Sequence, residues 1–331
     1  MWWFYLDMKM SVRSQLIALI EQQTIPAEKV NDALRATKVM PSGQAWIAFI
    51  NHLLVWLGGL ALSFSILFFV AYNWQEIGRF TQFALVEVTI AMSVLAYWKL
   101  GTESVVAKVS LLSATILLGV LLALYGQTYQ TGADTWQLFF TWSLLILPWV
   151  VVGKFAAIWV VWILLLNITM TLYQPKFNSL FWFVFSSETA MLWSLFLFNT
   201  LALVVWEFLS GRYCWLSVRW AARLLALASG TSITHLVVYS IFGFDDVSNL
   251  AVIVWSVWLA MLYFIYRKIK PDLFMLAGGC LTTVVVFVSF ISEHMIKDGE
   301  PAIFLFVALM IIGMSTGIAM WLRSIHREWS R

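Results

Sequence analysis

The sequence predicts an all-α, polytopic membrane helix bundle of about ten transmembrane helices, preceded by a short N-terminal cytoplasmic helical segment. Three observations carry that reading. Of the 331 residues, 62% are hydrophobic and 11% charged, against roughly 25% charged in soluble domains. Ten apolar runs follow one another, each close to the ~20 residues a helix needs to cross the hydrocarbon. Taken as alternating passages, they leave nearly all Lys and Arg on one side, the pattern of cytoplasmic loops.

The first segment, residues 1–44, is the polar head. Leu16, Ile17, Leu19 and Ile20 repeat at helical spacing, as do Val30, Ala33, Leu34 and Thr37. Thr24-Ile25-Pro26 reads as a break, followed by a helix with Pro in its first turn. Two amphipathic helices this short bury little core by themselves, so they are expected to pack on the membrane domain, the bilayer surface or a partner. The opening letters Met1-Trp2-Trp3-Phe4-Tyr5-Leu6 are too few for the apolar stretch of a signal peptide, and Met8 and Met10 are alternative starts.

The membrane domain, residues 45–323, holds spans at about 46–72, 80–98, 109–125, 138–153, 155–174, 188–209, 220–241, 250–266, 273–292 and 302–322. The fourth and fifth are separated only by Gly153-Lys154, and charge placement decides whether they are one span or two. With ten spans and a cytoplasmic N-terminus, all Lys and Arg except Arg79, Lys176 and Lys297 lie inside, seventeen of twenty. Merging the two spans would leave about nine inside and ten outside, with Lys154 buried. Both ends are therefore expected in the cytoplasm, with residues 324–331 as a basic tail. The domain would divide into halves 46–174 and 188–322.

The other side is acidic. Glu76, Asp134, Asp245, Asp246, Glu293, Asp298 and Glu300 fall in external loops, with Glu188 at the outer start of the sixth span. Acidic residues contribute little to orientation and settle where basic ones are scarce, so this placement has a bland account beside a cation-attracting one.

Between the third and fourth spans lies Y-G-Q-T-Y-Q-T-G-A-D-T-W-Q, Tyr125 to Gln137. Most of its side chains carry amide, hydroxyl or carboxylate groups, and Gly126 and Gly132 would let the backbone turn. Polar, non-helical backbone at a bilayer edge needs protein or water to satisfy it. The stretch is therefore expected to line a polar pocket. A second polar corner, F-V-A-Y-N-W-Q-E-I-G-R (Phe69 to Arg79), closes the first span. Both fall on the external face, so Asn73, Gln75, Glu76 and Arg79 are expected to meet Gln127, Tyr129, Gln130 and Asp134. Arg79 could pair with Glu76 or hold Asp134. Alternatively, these loops only knit helix ends together, with Trp74 and Trp136 as interfacial anchors.

Together the two motifs resemble the bacterial predicted inner-membrane proteins of domain of unknown function 2157. The head, with Ile25-Pro26-Ala27-Glu28, is also similar to the start of that family. The resemblance covers roughly residues 11–175. It implies a bacterial envelope location and partner membrane domains, and supplies no catalytic or binding residues.

Within the spans the ionisable inventory is short. Glu87 lies about 10 Å below the outer end of the second span, and His235 and Asn167 lie at similar depth in the seventh and fifth. An intramembrane carboxylate suggests a proton relay or a counter-charge, and Glu87 and His235 would then line one cavity. The alternative is packing: a neutral Glu87 bonded to a neighbour, and a His235 served by Thr231, Thr234 and Tyr239. His52 is expected to face the interface or a carbonyl, and Glu207 to snorkel toward Arg212. Gly58-Gly59, Gly278-Gly279 and the small residues of 313–317 read as close-packing surfaces.

No P-loop, nucleophile elbow, H-E-x-x-H helix or dinucleotide fingerprint is present. Cys214 and Cys280 have no zinc or disulfide spacing. No catalytic residue, metal or cofactor is expected, and a net charge of +3 does not suggest nucleic acid. The expected partners are the lipid bilayer, other membrane proteins and a small-molecule or ion ligand. Three function classes fit: a secondary transporter built from two inverted five-span halves, a non-transporting envelope sensor or scaffold, and, weakest, a membrane enzyme using Glu76 or Asp134.

Overall fold

The computed structural model describes residues 16, 19–20, 22, 24–37, 42–72, 76–177, 187–243, 250–295 and 301–330. Among them there is no strand, and ten helices are long and apolar enough to cross a membrane. After a 3-10 turn at Ala27–Lys29, helix α1 spans Val30–Ala36. The spans are α2 (Gly43–Tyr72), α3 (Arg79–Leu100), α4 (Val105–Tyr129), α5 (Thr135–Gly153) and α6 (Ala156–Phe177). They continue with α7 (Ser187–Leu209), α8 (Arg219–Ile241), α9 (Leu250–Phe264), α10 (Leu273–Met295) and α11 (Pro301–Ser330).

The chain divides into two compact units, residues 56–318 and residues 1–55 with 319–331. In the smaller one, Leu16 and Ile325 are buried, and the break at Thr24–Pro26 is present, with Thr24 N–H on the Leu19 carbonyl at 3.0 Å. His52 Nδ1 lies 2.6 Å from the Ala48 carbonyl, the ordinary backbone partner expected of it. Residues 324–330, expected as a tail, continue α11 as helix.

In the larger unit, side-chain contacts fix the direction of successive helices. Val70, Val86 and Leu124 form one buried cluster, which brings the end of α2, the start of α3 and the end of α4 together. At the opposite end Tyr97, Leu111, Val150 and Ile158 share a second cluster, and Tyr97 donates to the Val152 carbonyl at 3.4 Å. That places the end of α3, the start of α4, the end of α5 and the start of α6 at one level.

The doubtful break between the fourth and fifth spans is real. Helix α5 ends at Gly153 and Lys154 takes a left-handed conformation, φ 48°. Helix α6 then runs back along α5, with Trp136 and Tyr173 rings 4.6 Å apart at one end. Midway, Trp162 Nε1 donates to the Ser143 carbonyl at 3.1 Å. A lysine in this conformation is uncommon. It ends α5 and opens the turn into α6.

Candidate functional site

The polar bend is shorter than the sequence suggests. Helix α4 continues through Gly126 to Tyr129, so Gly126 is helical, and its carbonyl accepts the Gln130 N–H as the helix closes. The reversal falls instead on Gln130 (φ 45°) and Gly132 (φ 64°). At Gly132 the missing Cβ makes that conformation inexpensive. Helix α5 restarts after Asp134, whose carboxylate accepts Trp136 Nε1–H at 3.2 Å.

Between these helix ends lies a groove of about 650 Å³, lined among others by Gln127, Gln130, Thr131, Asp134, Thr135 and Gln137. Hydroxyls, amides and one carboxylate face it. Such a surface can offer donors and acceptors to a small polar molecule but holds no nucleophile–base pair. Among the described residues no group of three or more His, Cys, Asp or Glu could hold a metal ion. Cys214 and Cys280 are free thiols.

The structure brings only some of the expected residues to this groove. Gln127, Gln130 and Asp134 line it. Tyr129 packs against Tyr125 with the rings tilted by 45° (4.9 Å) and approaches Phe83 (6.1 Å), tying the start of α3 to the bend. Glu76 and Arg79 are exposed near that same start. Among the described residues Arg79 makes no ion pair with Glu76 or Asp134, and its guanidinium lies 5.2 Å from the Phe80 ring. Asn73, Trp74 and Gln75 lie outside the described residues.

The residues expected at a common depth separate. Glu87 and His235 are exposed on α3 and α8, not enclosed in a shared cavity. Asn167 is half-buried and has a partner the sequence did not single out, Asn199 on α7. The two side-chain amides exchange hydrogen bonds of 3.2 and 2.6 Å. One helix further on, Thr200 and Ser229 meet at 2.7 Å. These polar pairs join α6 to α7 and α7 to α8 in the middle of the spans, where interhelical hydrogen bonds act as glue.

Among the described residues, the most heavily bonded cluster is one that sequence reasoning did not assemble. Glu207, near the end of α7, does not turn to Arg212, whose guanidinium lies 5.0 Å from the Phe208 ring. It accepts from Arg219 Nη1 (3.0 Å), Tyr266 OH (3.0 Å) and Lys270 Nζ (2.6 Å). Arg219 also donates to Asp272 through Nε (3.1 Å) and Nη2 (2.9 Å). Arg223, one helical turn on, grips the same carboxylate through Nε and Nη2, both at 3.2 Å.

Local structure places each group. Arg219 and Arg223 are four apart on the first turns of α8 and so share a face. The chain leaves α9 through a π-helical turn, Ile265–Ile269, whose buried Tyr266 and following Lys270 reach Glu207. Asp272 then precedes α10 and accepts the Phe274 N–H at 3.0 Å, a side-chain cap of a helix start. Burial would push the Asp272 carboxyl up, but hydrogen bonds from Arg223 and Arg219 outweigh it and hold it below its ordinary value. Its faint signal in the sequence was Pro271-Asp272 ahead of an apolar run, a helix-start pattern.

The Phe69–Arg79 motif and the bend lie in the part of the chain that a family model matches. Residues 17–159 match the family model described as predicted membrane protein (DUF2157). The DUF2157 match takes in both motifs, most of the head and the first four spans, and ends in the first turn of α6. The Asn167–Asn199 pair and the Glu207–Asp272 cluster lie outside it. No curated protein and no solved structure matches the chain.

Proposed function

We propose that this is a multi-pass protein of a bacterial inner membrane that binds a small polar solute in the Gln127–Gln137 groove, as a non-transporting sensor or scaffold subunit. In this reading both termini lie in the cytoplasm, which puts the groove on the extracytoplasmic side. The observation that carries it is the contrast between the two polar regions. The groove is open and carries amides and hydroxyls among apolar side chains, while the polar groups at mid-span bond to one another. A transporter must open and close a route past such groups in every cycle. Breaking satisfied buried hydrogen bonds and ion pairs is costly.

Asp134 is the one carboxylate on the groove, so the solute is neutral or singly cationic. Purified protein in detergent would be screened by thermal unfolding against sugars, polyols, neutral amino acids and short amines. At least one class should stabilise the wild type and not a Gln127→Ala, Gln130→Ala variant. Accumulation of the stabilising compound inside proteoliposomes would overturn the non-transporting assignment, and no class stabilising would remove the ligand itself.

A further inference from the structure

The broken junction between α5 and α6 leaves a second opening. Its volume is about 680 Å³, and its walls are almost wholly apolar. At one end stand Lys154, exposed in its left-handed turn, and an aromatic group in which Trp159 and Trp215 rings lie 5.8 Å apart. From there the cleft follows Val205, Leu201 and Phe198 along α7. Leu209 to Phe198, both on its wall, is a rise of roughly 16 Å at 1.5 Å per residue. That is about half of a ~30 Å hydrocarbon core, the depth of one leaflet.

A cation at the headgroup level above an apolar slot one leaflet deep matches one kind of occupant. We infer that this cleft holds one acyl chain of an anionic glycerophospholipid, whose phosphate sits against Lys154. The ammonium supplies a point charge to phosphate, and basic pockets between spanning helices are a recurring way of holding anionic lipid head groups. Tryptophan rings suit the same level of the bilayer. Trp162 and Trp206, also on the wall, already donate their indole N–H groups to the Ser143 and Leu216 carbonyls, both at 3.1 Å. The Trp159 indole N–H is enclosed and has no acceptor among the described residues. A phosphate or ester oxygen would satisfy it if the Trp159–Trp215 contact opened slightly.

The test is native mass spectrometry of the full chain released from detergent, with equimolar phosphatidylglycerol and phosphatidylcholine of identical acyl chains. The wild type should retain one phosphatidylglycerol about five-fold more than phosphatidylcholine, the factor one lysine near the headgroups is worth. Lys154→Asn removes the charge while tolerating the left-handed backbone, and should bring the ratio to unity. Lys154→Arg should preserve it. Ala202→Trp, which fills the slot, should remove both adducts and checks the acyl-chain contact independently of Lys154. Millimolar inorganic phosphate should not displace the lipid. Equal retention of both lipids by the wild type would overturn the assignment. So would a preference that survives Lys154→Asn, or an adduct with the mass of free phosphate or fatty acid.

Discussion

Asp272→Asn is the sharpest perturbation of the bundle, because it removes charge while keeping shape. The Asp272 side chain is 2% exposed and takes four hydrogen bonds from two guanidinium groups. Removing one partner of a buried pair costs about 3–5 kcal/mol, mostly from the uncompensated charge left behind. Here the two survivors are Arg219 and Arg223, with side chains 35% and 39% exposed. Solvent screening at that exposure reduces the expected loss to about 2–3 kcal/mol. Thermal unfolding in detergent, followed by tryptophan fluorescence, should therefore show a midpoint lowered by roughly 3–4 °C for a chain of this length. Arg223→Gln should lower it less, since Arg219 still holds Asp272 as well as Glu207. A midpoint for Asp272→Asn indistinguishable from wild type would refute the claim that this cluster fastens α7, α8 and α10.

The same carboxylate predicts a pH dependence. A depressed folded-state value means stability fully present above the unfolded value of ~3.9 and lost as pH falls through the lower folded one, and Asp272→Asn should flatten that acid limb of the unfolding profile. At mid-span, Asn199→Leu should cost about 0.6–1.7 kcal/mol. The double variant Asn167→Leu, Asn199→Leu should cost less than the sum of the single changes; additive losses in denaturation would show that the pair does not act as a unit. Gly119→Ala would drive a Cβ into the Trp142 ring, which is held by its bond to the Thr115 carbonyl at 2.8 Å. The expected loss is about 1–3 kcal/mol, whereas Gly58→Ala, with nothing near its Cβ, should leave the midpoint unchanged or higher.

The spans were legible because crossing a bilayer imposes length and apolarity on contiguous residues. Charge asymmetry was a second, independent signal, and it separated α5 from α6 although Gly153-Lys154 is a minimal break. What was missed is local and conformational. The Tyr125–Gln137 stretch was read as one loop from its polarity, yet its first five residues are helical. The α4 ladder continues through polar positions, and Gly126 costs a helix only about 1 kcal/mol relative to Ala. The turn was assigned to the two glycines, when one of the two left-handed positions is Gln130.

The candidate site divides along the same line. Gln127, Gln130 and Asp134 were found because they are neighbours in the chain, so composition alone put them in one place. Glu87 and His235 were joined on depth, but depth fixes only a helix level. The angular position that turns both outward depends on which face each helix buries. The Glu207–Arg219–Arg223–Lys270–Asp272 cluster was out of reach for a different reason. Its members come from the end of α7, the start of α8 and the loop before α10; the three basic ones already fit the charge asymmetry of the sequence without any partner, and the two acidic ones carry no orientation signal at all. Only the bundle's packing, with the π-helical turn aiming Tyr266 and Lys270 back at Glu207, converts an orientation signal into a network of three cations and two anions. Residues read from the sequence for their charge alone can thus also fasten the helices, and only that second role requires their side chains to meet.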